Sequence, residues 1–278
     1  MDSLVTTDWL EAELGVADLR VIDATAFLPG TGRDARAEYE AAHIPGAVFF
    51  DIEEVSDRDS PLPHMLPQPH KFASRMQSLG LRDGNRFVVY DNSPLHSAAR
   101  AWWMLRIFGA HHVALLDGGL EKWNAEGRPL ESGAQPRRHG HFTPLFDAAA
   151  VVDKAQLLGL AGHDIVDARP AGRFAGEAPD PRPGVASGHI PGSLSAPQSG
   201  FFDADNKWKR GEDLRAVFDA AGVDLSRPMV TTCGSGVTAA VILFGAHLLG
   251  KEDVRLYDGS WSEWGADPDT PKAIGAGA

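Results

Sequence analysis

Four short motifs occur twice along this chain, in the same order and at a nearly constant spacing. His43 and His189, in two copies of H-I-P-G, are 146 residues apart, and Asp91 and Cys233, each after an apolar run, are 142 residues apart. The other pairs are V-I-D-A at 21–24 with I-V-D-A at 165–168, and L-L-D-G-G at 115–119 with L-Y-D-G-S at 256–260. This regularity indicates a tandem duplication of a domain of roughly 130 residues.

Composition predicts the boundary between the two copies. Residues 132–148 mix Gly, Pro and polar residues without sustained periodicity, which is typical of a linker. We therefore predict a first domain at 1–131, a linker at 132–148 and a second domain at 149–278. A length of 278 residues agrees with two domains, each able to bury a hydrophobic core.

Each half alternates short apolar runs with helical stretches. The segment 97–108 has the length and spacing of a helix that packs on a sheet. Alternation of this kind predicts the α/β class, with two tandem domains that each form a mainly parallel sheet flanked by helices. Ligands of such sheets bind beyond the carboxyl ends of the strands. In the first half the predicted strands are 21–22, 48–50, 87–90 and 113–116.

Net charge argues against a nucleic-acid partner. The chain has 26 Lys and Arg against 38 Asp and Glu, a formal net charge of -12. An acidic surface repels phosphate backbones, so we predict no nucleic-acid binding. A small anionic substrate would have to be held by arginines placed close to it.

Targeting signals and metal-site patterns are missing from the sequence. The N-terminal residues lack the basic and apolar regions of a secretory signal, and no apolar run is long enough to span a bilayer. A single cysteine excludes an internal disulfide and a cysteine-based metal site, and His111-His112 have no partners at metal-ligand spacing. We predict a cytoplasmic protein without membrane contact, metal or cofactor.

The single cysteine lies where such a fold binds its ligands. Cys233 follows the predicted strand 229–232 and begins a glycine-containing loop that leads into the predicted helix 239–249. Two glycines allow the loop to turn successive N–H groups toward one point, and a helix N-terminus adds partial positive charge. Both features stabilise an anionic sulfur, so Cys233 is a candidate nucleophile, although a buried structural cysteine is the alternative. The candidate binding residues of the loop are Gly234, Gly236, Val237 and Thr238.

The duplication supplies an internal comparison for this loop. The counterpart of Cys233 in the first half is Asp91, followed by Asn92-Ser93-Pro94, which has no nucleophile and no glycine. We therefore expect the chemistry in the second domain and a scaffold without a nucleophile in the first.

These features together resemble the tandem rhodanese-type sulfurtransferases. The resemblance includes the duplicated domain, the repeated H-I-P-G, the segment D-R-D-S-P-L-P-H-M-L-P at 57–67, and C-G-S-G-V-T-A at 233–239. Within that family, C-G-S-G-V-T is similar to the loop of 3-mercaptopyruvate sulfurtransferases, whereas thiosulfate-preferring members carry basic residues after the cysteine. A dianion such as thiosulfate benefits from such cations, but a substrate with one carboxylate does not need them in the loop.

The resemblance implies a reaction and its partners. Cys233 would take sulfur from 3-mercaptopyruvate, release pyruvate and pass the sulfur to cyanide or to a thiol such as thioredoxin or glutathione. Arg173 and Arg182, in the Pro- and Gly-broken segment 169–184, would bind the substrate carboxylate and carbonyl, a role that suits the planar guanidinium group. Solvated arginines, or partners of acidic neighbours, are the alternative, and Arg169 is the candidate to replace either one.

A polar relay is also implied by the resemblance. Ser235 would act with a histidine and an aspartate of the first domain, which match His43 and Asp34. His189 occurs in the same motif as His43, so a shared structural turn is the alternative for this histidine. Other acids, such as Glu38 and Asp51, compete with Asp34.

Three rival functions stay open. A thiosulfate:cyanide sulfurtransferase is the nearest, and comparison of the two sulfur donors would distinguish it. A cysteine-type phosphatase of similar fold needs a longer loop closed by an arginine, and Thr238, Ala239 and Ala240 occupy the candidate positions. A non-catalytic sulfur carrier or binding module fits a first domain without a nucleophile but not the complete loop at Cys233.

Overall fold

A computed structural model describes residues 1–134 and 138–276 of the chain, which fall into two compact units. Three residues of the predicted linker, 135–137, lie outside the described part, as do 277–278 of the second predicted domain. Each unit takes most of its residues from one half of the sequence. Unit 1 comprises the described residues of Met1–Arg58, Leu66–Asp147 and Ala204–Trp208, and unit 2 comprises those of Asp59–Met65, Ala148–Asp203 and Lys209–Ala278.

Unit 1 contains a five-stranded sheet in which all paired strands are parallel. The strand order is β1-β5-β4-β2-β3, so β4 lies at the centre. The strands are β1 (Leu4–Val5), β2 (Leu19–Asp23), β3 (Val48–Phe49), β4 (Arg86–Tyr90) and β5 (Val113–Leu116). The helices are α1 (Thr7–Glu13), α2 (Ala35–Ala41), α3 (Ile52–Val55), α4 (Pro69–Ser78), α5 (Ala98–Ile107) and α6 (Gly119–Ala125).

Unit 2 repeats this topology. Its parallel strands are ordered β6-β10-β9-β7-β8, which is the order of unit 1 with each strand replaced by its counterpart. The strands are β6 (Val151–Val152), β7 (Asp164–Asp167), β8 (Leu194–Ser195), β9 (Met229–Thr232) and β10 (Val254–Tyr257). The helices are α7 (Lys154–Leu158), α8 (Ala171–Phe174), α9 (Gly211–Ala220), α10 (Ala239–Leu248) and α11 (Ser260–Trp264), with 3₁₀ turns at Ala148–Ala150 and Gln198–Phe201.

The predicted fold class is confirmed, because each unit is a parallel sheet flanked by helices. The central strands β4 and β9 are buried along almost their whole length, as expected for strands covered on both faces. Helix α5, predicted from the apolar segment 97–108, buries every residue except Arg106, and α10 is similarly buried over its first eight residues.

Several elements were not predicted from the sequence, and the edge strands and α8 show why. The edge strands β1 and β6 have two residues each, too few for any alternation of apolar and polar residues to be detected. Helix α8 is a single turn within the segment 169–184, which was predicted as a loop because of its Pro and Gly content. Pro170 at the N-cap sets the start of that turn.

A short segment of each sequence half belongs to the other half's unit. Residues 59–65 are part of unit 2, and residues 204–208 are part of unit 1. Both segments contain a residue with φ of 59°, a left-handed conformation uncommon for side chains other than glycine: His64 in the first and Asn206 in the second. Unit 2 therefore receives a histidine from the first half of the sequence.

Candidate active site

Cys233 lies at the carboxyl end of β9, between the neighbouring strands β7 and β10. Only 2% of the residue is exposed. The loop that follows it leads into α10 at Ala239, as the sequence predicted. The cysteine is thus at the edge of the sheet where ligands bind in this class of fold.

The first turn of α11 fixes the start of the cysteine loop. The N–H groups of Trp261 and Ser262 donate to the carbonyls of Cys233 and Gly234, each at 2.9 Å, and the Ser262 hydroxyl also donates to Gly234 at 2.5 Å. The Cys233 N–H donates to Ser260 Oγ at 3.3 Å. Because a trans peptide directs its N–H opposite to its C=O, these contacts turn the loop's following N–H groups away from α11. The D-G-S motif, the counterpart of D-G-G in the first half, thereby orients the loop.

Four backbone donors of the cysteine loop bind no other group among the described residues. Within residues 1–134 and 138–276, the N–H groups of Gly234, Ser235, Val237 and Thr238 donate no hydrogen bond to another group. Gly236 has φ of 80°, which lets the loop curl without the strain that a side chain would add. Unpaired N–H groups at the start of the ten-residue helix α10 favour an anion at this position.

Ser235 is hydrogen-bonded to a histidine that the sequence analysis did not select. The Nδ1 atom of His64 and the hydroxyl of Ser235 are 2.8 Å apart, and both residues belong to unit 2. Ser235 is almost fully buried and His64 is partly buried. The pair can therefore pass a proton to or from a group bound in the loop.

A second signal in the sequence would have identified His64. At a spacing of 142 residues, the spacing of Asp91 and Cys233, the counterpart of His64 is Asn206. Cys233 and His64 are each present in one half only, whereas His43 has a histidine twin. Applied to the segment 57–67, the comparison between halves would have made its one histidine, His64, a candidate, together with Arg58 and Asp59, which also differ from their counterparts.

Arg182 is next to the cysteine loop. A Cβ atom built on Gly234 would be 3.3 Å from Arg182 Nη1, so the guanidinium lies close to the backbone of the loop and would have to shift slightly for a larger residue. Arg182 Nη1 is 3.7 Å from Asp180 Oδ1, which also accepts the Arg182 N–H at 3.0 Å. The Asp180 side chain is 2% exposed against 25% for Arg182. The buried carboxylate therefore holds a more accessible guanidinium beside the loop.

The other two candidate arginines differ from each other. Arg173 lies in α8, after the carboxyl end of β7, and has no carboxylate partner among the described residues. Arg169 is buried, donates to both carboxylate oxygens of Asp167 at 2.7–3.1 Å and to the Gly188 carbonyl at 2.8 Å, and lies over the ring of Trp261. The guanidinium of Arg169 is thus already bound within unit 2, whereas that of Arg173 has no ion pair among the described residues.

His43 and Asp34 have contacts within unit 1. His43 is fully buried, stacks on Tyr39 and places its Nδ1 2.7 Å from the Tyr39 carbonyl oxygen. Asp34 caps helix α2, since its side chain accepts the N–H groups of Arg36 and Ala37 at 3.0 Å each. These contacts are those of a core histidine and a helix cap.

The repeat supports that reading of His43. Its twin His189 is also buried, stacks on Phe174 at 3.9 Å and places Nδ1 2.9 Å from the Phe174 carbonyl oxygen. Both histidines also form an isolated backbone bridge, His43 with Glu131 and His189 with Ala273. The H-I-P-G motif therefore builds the same turn in both units.

Asp91 occupies the position of Cys233 in unit 1. Its carboxylate accepts the N–H groups of Ala98 at 2.6 Å and Ser93 at 3.2 Å, so a side chain of the protein itself fills this helix N-terminus. The Leu120 N–H donates to the Asp91 carbonyl at 3.0 Å, as Trp261 does to Cys233. Burial raises the pKa of Asp91 to about 7. Unit 1 therefore keeps the hydrogen bond that supports this loop, but the Asp91 carboxylate occupies the place where an anion could bind.

Metal binding and membrane insertion find no support in the described structure. Among residues 1–134 and 138–276, no three His, Cys, Asp or Glu side chains are grouped so that they could hold a metal ion. Across the same residues, no helix has the length and apolar character that crossing a membrane requires.

The fold and the single-cysteine loop define a protein class. The profile of the Rhodanese-like domain matches residues 6–126 and again residues 151–267. The chain therefore belongs to the Rhodanese-like domain family and contains two tandem copies of the domain, which confirms the predicted duplication.

Curated relatives cover nearly the whole chain. The 3-mercaptopyruvate sulfurtransferase of Escherichia coli (strain K12) is 46% identical over 272 residues, 96% of each chain. The human protein of the same name is 45% identical over 271 residues, 94% of this chain and 91% of its own. The thiosulfate sulfurtransferase of Cricetulus griseus is 42% identical over 280 residues, 96% of this chain and 94% of its own.

Solved structures have the same fold. The crystal structure of SseA from Escherichia coli, described as a 3-mercaptopyruvate sulfotransferase, covers 95% of this chain and all of its own, with 43% identity and a TM-score of 0.86. The Tum1 protein of Saccharomyces cerevisiae covers 99% of both chains, with 30% identity and a TM-score of 0.90.

Proposed function

We propose that this chain is a 3-mercaptopyruvate sulfurtransferase that carries sulfur as a persulfide on Cys233. The observation that carries the proposal is the chain's single cysteine at the start of a loop with unpaired N–H groups, beside Arg182. Relatives named for this activity at 45–46% identity support the choice of substrate.

Two arginines bind the substrate in this proposal. Arg182, held by Asp180 beside Gly234, and Arg173, without a carboxylate partner among the described residues, bind the carboxylate and carbonyl of 3-mercaptopyruvate. The loop residues between Cys233 and α10 carry no cation, so charge recognition comes from segment 169–184. Fixing the carboxylate brings the substrate sulfur in line with the cysteine sulfur.

Sulfur transfer then takes place in one displacement. The Cys233 thiolate attacks the sulfur of 3-mercaptopyruvate, so an S–S bond forms while the C–S bond breaks. The electron pair of the C–S bond passes to carbon and gives the enolate of pyruvate. The proton of the substrate thiol is transferred to that carbon, which leaves pyruvate and a persulfide anion on Cys233. The unpaired N–H groups of the loop stabilise this anion.

Ser235 and His64 move the proton in this scheme. The Ser235 hydroxyl takes up the thiol proton as it passes its own to Nδ1 of His64, 2.8 Å away, and the reverse sequence protonates the enolate. His64 thus takes the place proposed for His43 and Asp34, whose contacts in unit 1 support structural roles. Water is the alternative proton donor.

A thiol acceptor completes the cycle. The acceptor thiolate attacks the outer sulfur of the persulfide, and the Cys233 thiolate leaves, which regenerates the enzyme. Thioredoxin, glutathione and cyanide are all competent nucleophiles for this step. Because donor and acceptor react in turn with one sulfur atom, the kinetics are expected to be ping-pong.

Replacing His64 by glutamine is expected to lower the rate of persulfide formation from 3-mercaptopyruvate by about 10²-fold or more, because proton transfer is lost. Discharge of a preformed persulfide by cyanide needs no proton transfer to carbon, so its rate is expected to stay near that of the wild type. Stopped-flow measurement of the two half-reactions separates these effects.

His70→Gln is the matched control for this experiment. His70 is exposed and lies six residues further along the same stretch of chain, so both half-reactions are expected to stay at wild-type rates. Equal loss in both half-reactions of His64→Gln would indicate a structural role and contradict the relay.

Replacing Asp180 by asparagine is expected to raise KM for 3-mercaptopyruvate about three- to tenfold with little change in kcat. The variant removes the charge that positions Arg182 but keeps a hydrogen-bond acceptor for the Arg182 N–H. Glu177→Gln, an exposed acid of the same segment, is expected to leave KM unchanged. A fall in kcat without a rise in KM would refute positioning of the substrate by this pair.

Thiosulfate sulfurtransferase is the second candidate function, and the 42% identity with the Cricetulus griseus enzyme favours it. Measuring kcat/KM with 3-mercaptopyruvate and with thiosulfate, at equal cyanide concentration, decides between them. We expect a preference of at least about tenfold for 3-mercaptopyruvate, since the loop offers no cation to a second negative charge. A preference for thiosulfate would overturn the proposed substrate.

A further inference from the structure

Unit 1 contains an open cavity of about 480 Å³ that the proposed reaction does not use. It lies at the amino ends of β2 and β3, the opposite sheet edge from Asp91. Its volume is within the range of small-molecule sites. The apolar part of the lining includes Leu14, Val16 and Leu79, and the charged side chains of the lining are Arg20, Arg82 and Arg138.

Among residues 1–134 and 138–276, none of the three arginines forms a hydrogen bond or ion pair with a carboxylate, although the charge of Arg20 acts on Asp18. Arg20 Nη1 donates to the carbonyls of Ala17 and Leu19, at 2.9 and 2.6 Å, and Arg82 Nη2 donates to a backbone carbonyl at 3.3 Å. These neutral acceptors fix the side chains without cancelling their charge. The residues that line the cavity therefore include three arginines and no acidic residue.

Two carboxylates lie near the rim, and each already has a partner. Asp18 accepts two hydrogen bonds from Arg86, at 2.8 and 2.9 Å, and this contact lowers the pKa of its carboxyl group. Glu131 accepts the N–H of Gly46 at 2.8 Å. Neither acid forms a hydrogen bond with Arg20, Arg82 or Arg138, and the charge of Asp18 is shared between Arg86 and Arg20.

The net negative charge of the chain bears on how these three arginines are interpreted. Acidic residues outnumber Lys and Arg by 38 to 26, so carboxylates are in excess as partners for surface arginines. Three arginines that share a cavity and bind no carboxylate are consistent with a site for an external anion. Guanidinium groups recognise carboxylate and phosphate with paired hydrogen bonds.

We propose that this cavity binds a small organic anion whose carboxylate or phosphate group meets Arg20, Arg82 and Arg138 and whose apolar body contacts Leu14 and Leu79. The site is separate from Cys233, since all of its lining belongs to unit 1, which has no nucleophile. The proposal is independent of the sulfur-transfer function and can fail without affecting it.

Nuclear magnetic resonance of the uniformly ¹⁵N-labelled full chain tests the proposal. Phenyl phosphate and benzoate are the two anionic probes, inorganic phosphate is the probe without an apolar body, and phenol is the probe without charge. We expect phenyl phosphate or benzoate to shift the amide signals of Gly15, Gly46 and Gly80, which line the cavity. Signals of Gly234 and Gly236 report binding at the cysteine loop and separate the two sites.

Binding to the cavity is expected to be at least about fivefold tighter for an anionic aromatic probe than for phenol or inorganic phosphate. Arg82→Gln, a change of an exposed side chain, is expected to raise the Kd at least about fivefold, as is Arg20→Gln. Arg75→Gln, an exposed arginine of α4 that faces Glu54, is expected to leave the Kd unchanged. Comparison of phenyl phosphate with benzoate identifies the preferred acidic group.

Shifts confined to Gly234 and Gly236 would contradict the proposal, because the probes would then bind only at the cysteine loop. Equal affinity of the wild type, Arg82→Gln and Arg20→Gln would also overturn it.

Discussion

Replacing Cys233 by serine is expected to lower kcat/KM for sulfur transfer by about 10⁴-fold or more, the scale seen when a covalent enzyme loses its nucleophile. The chain has no second cysteine that could take over. The serine oxygen is a similar size but a poor nucleophile toward sulfur at neutral pH, so no persulfide forms. The measurement is pyruvate release from 3-mercaptopyruvate with cyanide as acceptor.

Folding of the Cys233→Ser variant is the control for this result. The cysteine N–H and C=O groups make the contacts with Ser260 and Trp261, and serine retains both. We therefore expect a far-ultraviolet circular dichroism spectrum and a Tm close to those of the wild type. Turnover above about one-hundredth of the wild-type rate in a folded Cys233→Ser protein would show that the cysteine is not the sulfur carrier.

Replacing Arg169 by methionine is expected to lower the free energy of unfolding of unit 2 by about 3–5 kcal/mol. The change leaves the buried carboxylate of Asp167, 1% exposed, without its cation, and removes the bond to the Gly188 carbonyl and the contact with the Trp261 ring. Urea unfolding, followed by a probe in unit 2, measures the loss.

Two further variants are the controls for this experiment. Arg215→Met changes an exposed residue of α9 and is expected to stay within about 0.5 kcal/mol of the wild type. Asp167→Leu combined with Arg169→Met removes both charges, so its loss is expected to be smaller than that of Arg169→Met alone. A double variant that is less stable than Arg169→Met would show that the uncompensated charge is not the cause.

Most of the fold followed from the duplication. The paired motifs include three of the four strands predicted in the first half, and the apolar runs at 87–90 and 229–232 are β4 and β9, which have the same place in the two sheets. The position of Cys233 could be predicted because the cysteine directly follows an apolar run that reads as a central strand and precedes a glycine-containing loop. The Pro-broken segment 169–184 was harder, since its one-turn helix α8 depends on contacts with the rest of unit 2.

The contacts of the candidate histidines and arginines could not be predicted from the sequence. His43 and His64 are both histidines of the first half, and only the structure shows that Ser235 bonds to His64. The sequence does not reveal that chain segment 59–65 belongs to unit 2. Similarly, Arg169 and Arg182 differ in their surroundings. Asp167 is buried together with Arg169, whereas Asp180 holds Arg182 beside the cysteine loop.

Intact-protein mass spectrometry after addition of 3-mercaptopyruvate, without an acceptor, tests the central claim most directly. The sulfur-transfer account predicts that the wild-type protein gains the mass of one sulfur atom, that fragmentation places it on Cys233, and that cyanide removes it. The Cys233→Ser variant is expected to gain nothing. An unmodified Cys233 in protein that still turns over 3-mercaptopyruvate would contradict the account.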